Sequence, residues 1–202
     1  LGGLRVEWVE EAAAANNIVS LQTGRIDLTF GLAPTPQRAL AVDFTNSLFD
    51  HPYGIIARPG FNAASWADLD KPGVKLAVNI GTSEEAAAKA FAPKAVLSGF
   101  RTRDEVLMAL SSGRVDGGVF AALLGLVAVK RNPAAGSFRM ISSPRIALPS
   151  AIGVPKERDA RWRELINACL AYYRGIGRID LWFVDAMARQ GIQREDIPDG
   201  IF

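Results

Sequence analysis

Cysteine is almost absent. The 202 residues include only Cys169, so no disulfide can form within the chain. Cys169 falls in the apolar-periodic stretch Leu165, Ile166, Ala168, Cys169, Tyr172 and reads as a small buried hydrophobe. Histidine is equally scarce. His51 stands alone, without a nucleophile or metal-ligand partner in the sequence, which gives little support to acid–base catalysis and less to a metal centre. An excess of one charge is lacking too: the formal net charge is +2, and Lys and Arg are scattered rather than clustered, which argues against nucleic acid as a partner. The longest apolar run, residues 119–129, is shorter than the ~20 residues of a membrane-crossing helix and reads as a buried core helix. No signal peptide is recognisable. The opening Leu1-Gly2-Gly3-Leu4-Arg5-Val6-Glu7-Trp8-Val9 reads as a helix end running into a strand, so the natural N-terminus is expected upstream.

What is present is the composition of an ordinary soluble protein, 49% hydrophobic and 22% charged, which disfavours disorder. A chain of this length buries roughly 70% of its extended surface on folding. Its pattern alternates helix and strand. Ile18 to Leu21 read as a helix end closed by Gly24, after which Arg25-Ile26-Asp27-Leu28-Thr29-Phe30 takes strand character. The device returns where Val106, Leu107 and Leu110 lead to Gly113-Arg114-Val115-Asp116 and then Gly117-Gly118-Val119-Phe120. A third copy, Gly177-Arg178-Ile179-Asp180, precedes a helical pattern and marks a turn between helices. Two helix-to-strand copies predict an α/β fold of two similar lobes, each with a mainly parallel sheet flanked by helices. Pro-containing approaches near Asp50-His51-Pro52-Tyr53 and Leu148-Pro149-Ser150-Ala151 are the candidate crossings of a two-stranded hinge. The expected division is residues 1–50 plus 152–202 for the first lobe and 51–151 for the second, with a ligand cleft between them.

Three features carry chemistry. Gly31-Leu32-Ala33-Pro34-Thr35-Pro36-Gln37-Arg38 places an arginine in a Pro-rigidified loop after a strand, where its planar fork suits a carboxylate; the alternative is a solvated arginine. Ile80-Gly81-Thr82-Ser83-Glu84-Glu85 ends a strand and opens an Ala-rich helix whose first amides favour an anion by ~0.3–1 kcal/mol at the surface and up to ~2 when partly buried. The alternative is an ordinary cap, with Glu85 completing a capping box. Asp116-Gly117-Gly118-Val119-Phe120-Ala121 has two glycines in a strand, so either a ligand or another part of the protein comes close.

Taken in order, Ile18-Val19-Ser20-Leu21-Gln22-Thr23-Gly24-Arg25-Ile26-Asp27, Thr35-Pro36-Gln37-Arg38 with Val42-Asp43-Phe44-Thr45, Gly81-Thr82-Ser83, and Gly113-Arg114-Val115-Asp116 resemble family 3 extracellular solute-binding proteins, the type II two-lobed receptors of ABC importers. The resemblance covers nearly the whole chain. It implies that Arg38 binds a ligand carboxylate from one lobe while Gly81-Thr82-Ser83 meets the same group from the other, with Gly31, Ala33, Phe120 and Ala121 beside them. It also implies a periplasmic, monomeric receptor with no cofactor or metal, whose partners are a small carboxylate or amino-acid-like ligand and the membrane permease of the importer.

The departures from that pattern matter. The aspartate that pairs with a ligand's α-ammonium in amino-acid-binding members corresponds here to Ala121, a Ser or Thr that helps hold the carboxylate corresponds to Ala33, and a stacking aromatic corresponds to Ala14 or a neighbour. The expected ligand is therefore a small carboxylate or other anion rather than an α-amino acid bound in the usual way, unless Asp50, Glu84 or an upstream acid replaces the missing aspartate. Asp50, Glu84 and Glu85 otherwise read as solvated or capping residues, and Trp8, Trp66, Trp162 and Trp182 as packing. Two alternatives on the same fold are a periplasmic enzyme resembling cyclohexadienyl dehydratase and the ligand-sensing domain of a kinase or chemoreceptor.

Overall fold

Helix and strand alternate as the periodicity requires. The computed structural model describes residues 3–11, 13, 15–156, 158–199 and 201. In chain order the elements begin α1 (Asn16–Gln22), β1 (Thr29–Leu32), α2 (Pro36–Ala39), β2 (Asp43–Phe44), β3 (Phe49–Ala57) and α3 (Trp66–Leu69). There follow β4 (Lys75–Asn79), α4 (Ser83–Phe91), β5 (Val96–Phe100), α5 (Arg103–Ser111), β6 (Gly117–Ala121) and α6 (Ala122–Arg131). The chain ends with β7 (Ser137–Met140), β8 (Ala147–Val154), α7 (Arg161–Gly175) and α8 (Arg178–Arg189).

The two glycine-closed helix ends fold alike. Gly24 has φ 69° and Gly113 φ 68°, a region that only glycine enters without cost. Behind them Arg25 N–H donates to the Ser20 carbonyl at 2.9 Å and Arg114 N–H to the Ala109 carbonyl at 3.0 Å. Each turn then delivers the chain to a strand, β1 in one case and β6 in the other. Gly177, φ 69°, separates α7 from α8.

Those two strands lie far apart in the strand order β1-β8-β3-β6-β4-β5, with β2 added on β8 and β7 on β3. The order is held together by two long strands. One half of β8 pairs with β1 and β2, and its other half pairs with the start of β3 through Phe49↔Ser150 and His51↔Leu148. The remainder of β3 lies between β6 and β7, antiparallel to both. Beyond it β6, β4 and β5 run parallel. Both Pro-containing approaches of the sequence are thus strands that pair with each other. Helices flank the strands, and the fold class is α/β.

Period-two alternation divides the core. From β3, Tyr53 and Ile55 join Trp66, Leu69, Leu76, Val78 and Ala121 in one cluster, while Ile56 joins Val106, Leu110, Val115 and Phe120 in another. Gly54 is demanded by this crowding, because a Cβ there would lie 2.3 Å from the Arg139 carbonyl oxygen and 2.4 Å from the Phe138 ring. The last helix leaves the β1–β8 end: Met187 and Phe183 of α8 pack with Ala122 and Leu123 of α6.

Several local expectations are corrected. Residues 5–9 form no strand and are exposed, Trp8 by 82%; residues 1 and 2 lie outside the described set. The apolar run 119–129 is not one helix. Its first residues complete β6 because Tyr53 and Ile55 pair with Ala121 and Val119, and α6 starts only at Ala122. The glycines before it serve packing, since a Cβ on Gly117 would meet Ile55 at 2.3 Å and one on Gly118 would crowd Leu110, Phe120 and Val106 at 3.1 Å. Cys169 is half-buried rather than buried. Of the four tryptophans Trp66 is buried and Trp162 packs against Ile166, but Trp8 and Trp182 are exposed. Among the described residues no helix is long and apolar enough to cross a membrane, and no group of three or more His, Cys, Asp or Glu could hold a metal ion.

Candidate functional site

The chain leaves β1 through Gly31, Leu32 and Ala33 and turns at once into the single turn of α2. Thr35 caps that turn by accepting the Arg38 N–H at 3.4 Å, and Pro36 begins it with a φ suited to a helix start. Arg38 is thereby aimed back across the end of β1. Its guanidinium donates through Nη1 to the Ala33 carbonyl and through Nη2 to the Gly81 carbonyl, both at 3.0 Å. The second bond joins residues 43 positions apart and ties the β1 end to the β4–α4 turn. Burial lowers the Arg38 pKa, opposed by the negative charge of Glu84 and by Tyr53.

On the facing side, Asn79 ends β4 and anchors the turn by donating to the Phe100 and Arg101 carbonyls at 3.0 and 2.9 Å. Thr82 is the N-cap of α4: its hydroxyl accepts the Glu85 N–H at 3.2 Å and donates to the Asn79 carbonyl at 2.6 Å. That hydroxyl has spent its one donor inside the protein, so the donors the turn offers outward are the helix's first amides and the Ser83 hydroxyl. Glu85 does not close a capping box. Its carboxylate reaches one residue further, accepting the Gly81 N–H at 2.7 Å and pairing with Lys89 at 2.7 Å.

Between these two sides lies a narrow cleft of about 40 Å³, lined by Gly31, Ala33, Arg38, Thr82, Ser83 and Ala121 together with His51, Tyr53, Glu84, Arg103 and Ser150. Phe120, expected beside Ala121, points the other way into the core with Val106 and Leu110, because adjacent strand residues face opposite sides. Ala14 lies outside the described residues. A broader hollow of about 550 Å³ at the start of α7, lined by Arg158, Asp159, Arg161, Trp162 and Leu165, is shallow, and its Asp159 and Arg161 are already paired with each other.

The floor of the cleft comes from the two paired strands. His51 and Tyr53 project from β3 and Ser150 from β8, and their polar atoms His51 Nε2, Tyr53 Oη and Ser150 Oγ are buried without a hydrogen-bond partner. Tyr53 and Ser150 are 2% and 1% exposed. Each unpartnered group costs about 1–3 kcal/mol, a cost that a bound molecule with complementary groups removes. His51 stacks on Phe49 at 4.5 Å between ring centroids. Burial depresses its pKa to about 4, with Glu84 and Asp50 opposing the shift and Arg103 adding to it, so the imidazole is neutral at pH 7. Tyr53 is shifted upward, first by burial and then by Glu84, with the nearby Ser83 hydroxyl and the Arg38 charge opposing the shift. Glu84 itself is only 7% exposed, whereas Asp50 is exposed and does not line the cleft.

Sequence reasoning gives His51 as a weak catalytic candidate and Glu84 as a solvated or capping residue that could replace the missing aspartate, and passes over Tyr53, Arg103 and Ser150 as site residues. The usable signal is the pair His51 and Tyr53, two polar residues two apart in one strand and so on one face.

The chain matches the model of the bacterial extracellular solute-binding proteins, family 3, over residues 1–181. No curated protein matches it. Among crystal structures it is similar to an ancestral amino acid-binding protein that is a precursor of cyclohexadienyl dehydratase, at 29% identity and a TM-score of 0.77, with 88% of this chain and 76% of the other covered. It is also similar to an ancestral arginine-binding protein bound to glutamine, at 29% identity and a TM-score of 0.76, covering 87% and 77%. The substrate-binding protein of an amino acid ABC transporter shares the fold at 23% identity and a TM-score of 0.72, covering 85% and 75%.

Proposed function

Because the chain belongs to the bacterial extracellular solute-binding proteins of family 3, we propose that it is the solute receptor of an ABC importer, holding a small carboxylate-bearing solute in the cleft between β1 and α4. The observation that carries the reading is the Arg38 guanidinium, held by the Ala33 carbonyl on one side and reaching the Gly81 carbonyl on the other. Its remaining N–H groups lie beside the first amides of α4, and both favour negative charge.

Residues 1–50 with 152–202, and residues 51–151, are the two lobes of this receptor, with α8 returning onto α6. The β3–β8 pairing over residues 49–52 and 147–150 is the hinge. The Arg38–Gly81 bond bridges the two sides of this narrow cleft, so entry of a solute is expected to break it and part the sides. On this reading the receptor is periplasmic, works as a monomer and presents its loaded, closed form to a membrane permease. Transport rather than catalysis fits the polar groups: among the described residues His51 Nε2 has no partner, and Glu84 accepts only from Ser83, so no coupled acid–base pair is assembled.

Thermal unfolding in the presence of a solute panel tests this. A solute at one hundred times its dissociation constant stabilises the native state by about 2.7 kcal/mol. Carboxylate-bearing solutes are expected to raise the melting temperature and their uncharged amides to fail; stabilisation by neutral sugars alone overturns the reading.

A further inference from the structure

We propose that the solute is a small dicarboxylate, carrying a second acidic group besides the one at Arg38, and that Arg103 is the specificity-determining residue that holds this second group; this rests on the receptor reading above. None of the sequence motifs contains Arg103. It is the first residue of α5, and its half-buried side chain lines the cleft.

Nothing in the helix calls for a cation at that point. The N-terminus of α5 is closed by a complete capping box, in which the Thr102 hydroxyl accepts the Glu105 N–H and the Glu105 carboxylate accepts the Thr102 N–H, both at 3.3 Å. A positive side chain there is opposed by the helix dipole, which favours anions at this end. Asp104 and Glu105 do not offset it by contact, because residues one and two apart on a helix do not face each other. Among the described residues Arg103 makes no ion pair. Its charge is felt instead at the cleft floor, where it opposes protonation of His51.

That part of the floor has the matching donors. His51 pairs in register with Leu148, which puts Ser150, two residues further along β8, diagonally beside it on the same face. Ser150 is 1% exposed, lines the cleft and has a hydroxyl without a partner. The neutral imidazole of His51 adds an unpartnered Nε2 that repels no anion. An ionised carboxylate only accepts hydrogen bonds, and a guanidinium with a buried hydroxyl beside it supplies charge-assisted and neutral donors together. Arg38 does not serve both ends of such a solute, since it is tied to the Ala33 and Gly81 carbonyls and interacts electrostatically with Glu84. Charge counts the same way. Arg38 and Arg103 face the single carboxylate of Glu84 among the side chains that line the cleft, so the walls are net positive before a solute enters.

Calorimetry on the chain tests this with succinate, glutarate, L-aspartate and L-glutamate. Each is compared with the counterpart whose distal carboxylate is an amide, namely succinamate, glutaramate, L-asparagine and L-glutamine, on wild type, Arg103→Gln and Arg103→Lys. The expected result is a diacid that binds wild type at least tenfold tighter than its amide, in either the plain or the amino-bearing pairs. In Arg103→Gln that diacid weakens at least tenfold while its amide stays within threefold of wild type, which also reports an intact fold. Arg103→Lys keeps the charge and is expected to bind the diacid more tightly than Arg103→Gln does. Amides that bind wild type as tightly as their diacids overturn the proposal. So does a diacid preference that survives in Arg103→Gln, or an equal loss for both classes there. If none of these solutes binds, the proposal falls; the receptor reading falls with it only if no other carboxylate-bearing solute raises the melting temperature.

Discussion

His51 is the only histidine, which makes its titration directly observable and its energetic consequence calculable. Burial holds its pKa near 4 against an ordinary value of 6.5. At about 1.4 kcal/mol per pKa unit, the difference amounts to about 3 kcal/mol. The sign follows from which state binds the proton. Below pH 6.5 the unfolded chain protonates His51 and the folded chain does not, so native stability is undiminished at pH 7, falls as the pH drops, and stops falling from this source below about pH 4. About 2 kcal/mol is already lost at pH 5. His51→Asn removes the titration while keeping a neutral polar group of similar reach. Urea unfolding of both proteins at several pH values is expected to give curves that diverge by about this amount between pH 7 and pH 5, with wild type the steeper. The imidazole proton resonances of wild type should stay in their neutral positions down to about pH 5. A histidine titrating near 6.5, or parallel stability profiles, would refute the account of a desolvated imidazole at the cleft floor.

Two further outcomes follow from packing. Gly54→Ala forces a methyl group to within 2.3 Å of the Arg139 carbonyl oxygen, so it should destabilise by at least the ~1–3 kcal/mol typical of overpacking, read as a lower urea midpoint; an unchanged midpoint would mean that β7 does not press on β3 as described. Tyr53→Phe removes a buried hydroxyl that has no partner, so the ligand-free protein should be as stable as wild type or more stable by up to about 1–3 kcal/mol, while ligand affinity falls; a loss of ligand-free stability would show that the hydroxyl is bonded in the empty cleft.

The legible parts of the molecule were those settled within a few residues. Gly24 and Gly113 close helices because the next amides reach back to carbonyls in the last turn, and the Thr82 cap needs only the Glu85 amide three residues on. What was lost required partners distant in the chain. Residues 119–121 are strand because residues 53–55 pair with them, a non-local contact that outweighs the helical appearance of the apolar run. The sequence marks the approaches around Asp50 and Pro149 only as candidate crossings; that they pair with each other and that their side chains floor the cleft depends on contacts far apart in the chain. Glu84 reads as a surface residue of a helix start; it is buried in a cleft that it shares with His51 and Tyr53, some thirty positions earlier. Phe120 was placed one residue out of phase, and one residue is a full turn to the other face of a strand.

The central claim is that Arg38 holds the solute's carboxylate in the cleft. Calorimetric titration of the tightest-binding solute into wild type and Arg38→Ala tests it most directly. Removing one side of a buried, hydrogen-bonded charge pair costs ~2–5 kcal/mol, so affinity is expected to fall between about thirtyfold and a few thousandfold, with one-to-one binding in wild type. An Arg38→Ala variant that binds the same solute within threefold of wild type would contradict the account.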